Sequence, residues 1–431
     1  MHALESIFEF AAKYCGEFRP QGVSETLRFT GDVGAATSAM LEKFIQVTGT
    51  LEGEAQFVEY EGVVHSQLHS EFLSIRECRQ VLWEDLYPLF FGSPDPTIPR
   101  DALGRTALHH AVLDNDVEEA VLLLKLGVYT NIRDASGQTE LHLAARHADS
   151  EMITALLNGG SDPALVDRRG QNPLHIACRY ATYRTINALL NGGADPDQVD
   201  NRGNPPLHVA SRYGDHRTVM ALLKAKAKPY GRDNDGRTAL HVAARHARDA
   251  RVFSALIDAG IRLDALDIDG RSSLHVAAQY GNTTAARALT AAGATLDLTD
   301  SRGRSPLQIA AGSDSVGVVR VLCDAGAELN FQDPRGGTPL HYAAKEADGR
   351  TLELLIKKGA DPNVRDRLGD TPLHEAAHFG NVGAIAALVE EGGADVNAVG
   401  FAGRTPLDVA VRRKKQAAID ILRKFGGRET H

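Results

Sequence analysis

This chain offers little from which an enzyme's site or a secreted scaffold could be built. One tryptophan, four methionines and an aromatic content of 6% leave the interior to be filled by aliphatic side chains. The four cysteines, Cys15, Cys78, Cys178 and Cys323, lie too far apart for the paired spacings of zinc sites or disulfide frameworks, so reduced thiols in a cytoplasm are expected. No apolar run reaches the roughly eighteen residues a membrane span needs, and Glu5 and Glu9 stand where an export signal would be basic; no membrane association and a cytoplasmic location are expected. Charge of one sign is scarce: 47 Lys and Arg against 56 Asp and Glu give −9 over 431 residues. With a sequence pI near 6.0, that balance lacks the basic footprint of nucleic-acid binding. A composition of 43% hydrophobic and 24% charged residues is ordinary for a folded protein and excludes disorder along most of the chain.

What the chain has in abundance is repetition. A leucine recurs ten times beyond residue 100, at Leu108, Leu141, Leu174, Leu207, Leu240, Leu274, Leu307, Leu340, Leu373 and Leu407, in steps of 33 or 34 residues. Such a period marks a solenoid, in which each unit buries its apolar face only by stacking on its neighbours. The repeated phrase is legible from Asp366 to Ala377. Asp366 and Gly369 suit a turn, Thr371 a helix N-cap, and Pro372 the first helical position. A first short helix leads to a break, often at a glycine (Gly214, Gly281, Gly380), and then to a second apolar helix such as 351–358, which Gly359 can end in the left-handed conformation.

These residues resemble the ankyrin repeat, and the likeness extends over roughly three quarters of the chain. The resemblance implies a turn and two antiparallel helices per repeat, with hairpins projecting at right angles and a concave groove that binds partner proteins. The expected fold class is therefore mostly α, an ankyrin-repeat solenoid of ten repeats over 101–431, preceded by a small acidic α+β domain (1–91) and a Pro-rich linker (92–100). Departures from the phrase mark expected soft points. Glu140 takes the Pro position, Pro205 the Thr position, and Ser272-Ser273 replace Thr-Pro, which predicts weak or missing caps. Lys226 takes a position where neighbouring repeats have Gly, so the fourth repeat is expected to be a weak joint. Single-residue insertions near 247–250 and at Gly392-Gly393 make the longer steps.

The residue five after the anchoring Leu reads Arg146, Arg179, Arg212 and Arg245 in successive repeats, then Gln279; the next reads His147, Tyr180, Tyr213, His246 and Tyr280. In the ankyrin pattern both positions end the first helix and face the groove. This basic and aromatic ladder is the candidate partner-binding surface, suited to an acidic, partly apolar protein segment. A solvated face that also meets the helix dipole is the plain alternative. Residues 1–100 hold 15 acidic against 7 basic residues, so an intramolecular contact, with the N-terminal domain capping or gating the groove, is a further expectation.

His109, His142, His175, His208, His241, His275, His341 and His374 each follow the anchoring Leu, so their period is that of the repeat and not of a ligand set. The resemblance implies that they hydrogen-bond within and between repeats. In the N-terminal region, strands are expected near 26–30 and 50–58 and helices near 4–14, 35–47 and 63–86. His65 and His69 stand four apart on the last of these, but with no third ligand they make a weak metal signal. Gly31-Asp-Val-Gly34 lacks the Lys-Ser/Thr ending of a phosphate loop, and Ser24, Ser66, Ser70 and Cys78 lack a nucleophile's context. The sequence reading is thus a non-enzymatic scaffold with no cofactor. Its alternative is an enzyme or toxin-like effector active in residues 1–91, whose repeats select the target.

Overall fold

The computed structural model describes residues 101–430 apart from 126 and 346–348, and before them only the backbone of 17–18, 27–28, 56–60 and 63–67. Those early stretches form two antiparallel pairs, Glu17–Phe18 with Leu27–Arg28 and Gln56–Tyr60 with Val63–Gln67. The helix expected from Val63 therefore begins instead as a strand, as the β-branched Val63-Val64 pair favours. His65 lies opposite Val58 in that register, so the helical spacing to His69 does not apply. The rest of the expected α+β domain, with Gly31 to Gly34, Ser24, Ser70 and Cys78, lies outside the described residues.

The chain divides into two compact units, Met1–Asp195 and Pro196–His431. In the first unit the first helices are Ala107–Leu113, Glu140–His147 and Pro173–Tyr180, and the second helices are Val117–Lys125, Ser150–Asn158 and Tyr183–Asn191. In the second unit the first helices are Pro206–Tyr213, Ala239–His246, Ser273–Gln279, Pro306–Gly312, Pro339–Ala343, Pro372–Phe379 and Pro406–Arg412. Their second helices are His216–Lys224, Ala250–Asp258, Thr283–Ala291, Val316–Asp324, Arg350–Lys357, Val382–Ala386 and Gln416–Lys424. Within each unit every first helix packs on its own second helix and on the next first helix. All ten anchoring leucines are at most 2% exposed. The alanine three residues on, from Ala111 to Ala410, is equally buried and small enough to let neighbouring first helices approach closely.

The hairpins between repeats are built by their aspartates. Asp134 Oδ1 accepts the N–H groups of Ser136 and Gln138, both at 2.8 Å, and Asp233, Asp267, Asp300, Asp333 and Asp366 repeat the arrangement. Successive hairpins are then tied edge to edge, as where Ile268 N–H donates to Asp235 O and Ser301 N–H to Asp269 O.

The histidine after each leucine joins one repeat to the next. His142 Nδ1 accepts from Thr139 N–H at 3.2 Å while its Nε2 meets Gln171 O at 2.9 Å. A carbonyl can only accept, so Nε2 carries the proton and the ring is the neutral tautomer. His241, His275, His341 and His374 repeat both contacts in the second unit. Gln308, in the histidine position of the seventh repeat, does the same work with an amide, accepting Ser305 N–H and donating to Gly337 O.

Two of the three caps expected to be weak are intact. Ser272 serves His275 as threonine does elsewhere. Thr139 caps the helix that Glu140 begins, and Glu140 itself, 1% exposed, accepts from Asn131 N–H and Ser161 Oγ at 2.8 Å. Desolvation raises its carboxyl above the usual range. Pro205 is the real loss: it offers no capping side chain, and the buried His208 Nδ1 has no partner. Lys226 adopts φ +65°, as expected for a residue in a glycine's position. Of the insertions, the first lengthens the link between Ala239–His246 and Ala250–Asp258. The second is absorbed before Gly392, as a π-helical turn over Ala387–Glu391.

Candidate functional site

The ladder residues stand at the C-terminal ends of first helices whose leucine and alanines are turned into the stack, so the residues five and six beyond the leucine project outward. Arg179, Arg212, Arg245 and Gln279 are exposed, and Tyr180, Tyr213 and Tyr280 are 46, 46 and 42% exposed. In the first unit the guanidinium groups of Arg146 and Arg179 lie 4.7 and 4.8 Å from the centroid of the Tyr180 ring. In the second unit Arg212 lies 4.9 Å from the ring of Tyr213, in its own repeat, and Arg245 lies 4.5 Å from that of Tyr280, in the next. Each such contact contributes about 0.5–1 kcal/mol at an exposed site, and together they stiffen side chains that would otherwise be mobile.

Within each unit, charge at these helix ends is left unpaired. Among the described residues no carboxylate lies within 4 Å of Arg146, Arg212 or Arg245, and Arg146 Nε is buried without a partner. His246 is half-buried, and desolvation, with Arg212 and Arg245 nearby, holds its imidazole down to about 4, so it is neutral near pH 7. His147 is lowered by desolvation and by Arg146. Both histidines thus act as rings and acceptors, leaving positive charge to the arginines. Gln279 is turned back, its Oε1 accepting from Arg271 at 3.3 Å.

The structure therefore brings Arg146, Arg179 and Tyr180 together in one unit, and Arg212 with Tyr213 and Arg245 with Tyr280 in the other. It differs from the expected ladder in one respect: the tyrosine faces already carry the ladder's own guanidinium groups, so a partner would meet guanidinium edges more than open rings.

Gly337, Tyr342, Lys345 and Glu375 lie outside the ladder, on a second face of functional interest. A signal was present in the residue two beyond the leucine, which reads Leu143, Ile176, Val209, Val242, Val276 and Ile309 before changing to Tyr342 and Glu375. Among the described residues no group of three His, Cys, Asp or Glu side chains is placed to hold a metal ion. No described helix is long and apolar enough to cross a membrane.

A family model described as ankyrin repeats (3 copies) matches the chain in overlapping stretches that run from residue 84 to residue 428, among them 84–167, 207–300 and 340–428. No curated protein matches the chain.

Proposed function

Because the chain belongs to the ankyrin repeat family, whose repeats are generally protein–protein interaction modules, we propose that it is a non-enzymatic adaptor binding an acidic, partly apolar protein segment across the Arg-Tyr ladder. The observation that supports this reading is that the exposed guanidinium groups of Arg212 and Arg245 are held in place by rings and, among the described residues, have no carboxylate within 4 Å. Arginine fixed in this way loses little entropy on binding and pairs with carboxylates through two parallel hydrogen bonds. The compartment we infer is a reducing cytoplasm, a reading supported by the free thiols of Cys178 and Cys323. Residues 1–91, read as a small acidic domain, would cap or gate the same face.

The test is affinity capture from source-cell lysate with the full chain, residues 101–431, and an Arg179→Glu/Arg212→Glu variant. A partner retained by the repeats and weakened by more than about 1 kcal/mol on reversal supports the ladder. Undiminished capture by the reversed chain removes it. The control reversal belongs at Arg287 and Arg320, exposed on second helices.

A further inference from the structure

The seventh, eighth and ninth repeats, all in the second unit, enclose a cleft of about 960 Å³ between their hairpins and first helices. Three departures from the repeated phrase open it. In the fifth, sixth and seventh repeats an arginine after the hairpin glycine folds back on its own hairpin aspartate: Arg237 on Asp233, Arg271 on Asp267 and Arg304 on Asp300, with Nε to Oδ2 distances of 2.8, 3.0 and 3.0 Å. In the eighth repeat that residue is Gly337, and the vacated Asp333 Oδ2 instead accepts from the Tyr342 hydroxyl at 2.5 Å. Tyr342 occupies the position that is aliphatic from Leu143 through Ile309, so a phenol becomes a wall of the cleft. Finally, Pro334 stands where Ile268, Ser301 and Arg367 each donate an N–H to the preceding hairpin, and it has no N–H to give.

Cations outnumber carboxylates in the lining of this space. Asp333 and Asp366 keep their charge while accepting the N–H groups of their own hairpins, and Arg304 is paired with Asp300 at 2.7 Å. Arg302, Arg335, Arg367 and Lys345 remain, all exposed and, among the described residues, with no carboxylate within 4 Å. Lys345 Nζ lies 5.3 Å from the centroid of the Tyr342 ring. Against these cations stands Glu375, half-buried, whose carboxyl desolvation raises while Lys345 opposes.

Arg302 and Arg335 hold equivalent places on consecutive hairpins, two residues past Asp300 and Asp333, and stacked repeats succeed one another at roughly 8–10 Å; Arg367, one residue past Asp366, lies one residue out of that register. A polyproline II segment rises ~3.1 Å per residue with three residues per turn, so every third side chain returns to one face at ~9.3 Å intervals. A β-strand has period two and would send every third side chain to the opposite face. We propose that this cleft binds an acidic peptide segment in the polyproline II conformation, with carboxylates three residues apart meeting Arg302 and Arg335 and an apolar ring packing against Tyr342 and Leu368. The inference rests on the chain's reading as a protein-binding solenoid but not on the ladder.

The probe is a fluorescein-labelled peptide, Glu-Pro-Phe-Glu-Pro-Phe-Glu-Pro, titrated with the full chain and followed by anisotropy, beside a peptide of the same composition with its glutamates adjacent and an oligothymidine. The spaced peptide is expected to bind at least about tenfold tighter than the clustered one, and to lose at least about tenfold in an Arg335→Glu/Lys345→Glu variant. Arg179→Glu/Arg212→Glu should leave its binding unchanged, which separates this cleft from the ladder. Equal binding of the two peptides, no binding of either, binding that survives reversal at 335 and 345 or is lost with the ladder variant, or preference for the oligothymidine would each overturn the proposal. Circular dichroism of both variants checks that these exposed reversals leave the helices in place.

Discussion

The fourth and fifth repeats show one outward face over two different interiors. Both present an arginine beside a ring, Arg212 with Tyr213 and Arg245 with His246. Inside the fifth, Thr238 caps the first helix, His241 is bonded at both ring nitrogens, Ala244 packs cleanly, and Gly260 takes φ +80° without strain. Inside the fourth, Pro205 offers no cap, His208 Nδ1 and Ser211 Oγ are buried without partners, and Lys226 holds φ +65°. Outer chemistry and inner hydrogen bonding vary independently here, because the former asks only for exposure and the latter for partners within about 3 Å. The fourth repeat is therefore the place where local opening should require least energy.

The largest effect that probes this contrast comes from acid. Burial lowers the imidazoles of His142, His208, His241, His275, His341 and His374, and that of His109 falls to about 4. Unfolded, each returns to about 6.5, so between pH 6.5 and 4 the unfolded chain binds more protons and stability falls as pH falls. The fully buried His109 alone accounts for about 3 kcal/mol by pH 4, and the other buried imidazoles act in the same direction. Thermal unfolding followed from pH 7 to pH 4 should show the midpoint dropping from about 6.5 downward. A midpoint flat to pH 4 would mean that only carboxylates such as Asp101 and Asp300, which stay ionised below the usual carboxylate range, govern the acid limb.

Next in size is removal of the inter-repeat histidine. His241→Ala strands Thr238 N–H and Arg271 O and opens a cavity, and should cost about 3 kcal/mol in urea unfolding. His208→Ala should cost about 1 kcal/mol less, because only its Nε2 bond to Arg237 O is lost. Equal losses would erase the distinction between the two interiors. The smallest effects run the other way. Pro205→Thr, Ser211→Ala and Lys226→Gly should each stabilise the chain by about 1 kcal/mol, supplying a cap, removing an unpaired hydroxyl and relieving a left-handed lysine. Unchanged or lowered urea midpoints for all three would show that the fourth repeat has compensations elsewhere.

The repeat boundaries were readable because each signal is local. An Asp accepts N–H groups two and four residues on, a Thr caps the helix it precedes, and a Gly frees the turn after the second helix, so the 33-residue phrase carries its own structure. Lys226 and Pro205 were legible as faults for the same reason. Ser272 departs from the phrase only in residue type, and Glu140 finds its partners outside the phrase. Ser272 needs only a hydroxyl to serve His275, while Glu140 is satisfied by Asn131 and by Ser161, a residue of the following hairpin. On the candidate site, the ladder was legible as a row of residue types, but the stacking of Arg245 on Tyr280 depends on the distance between adjacent repeats.

What the sequence by itself determined is the period, the helices, the buried leucines and histidines, and an outward row of arginine and tyrosine, since all follow from bonds and periodicities within one repeat. Tertiary structure alone decided that the ladder's rings are covered by its own arginines, that an inserted residue becomes a π-helical turn, and that Gly337, Tyr342 and Pro334 together open a cationic cleft. These are outcomes of packing between repeats, where the position of a side chain is set by neighbours about 33 residues away and the local phrase is silent.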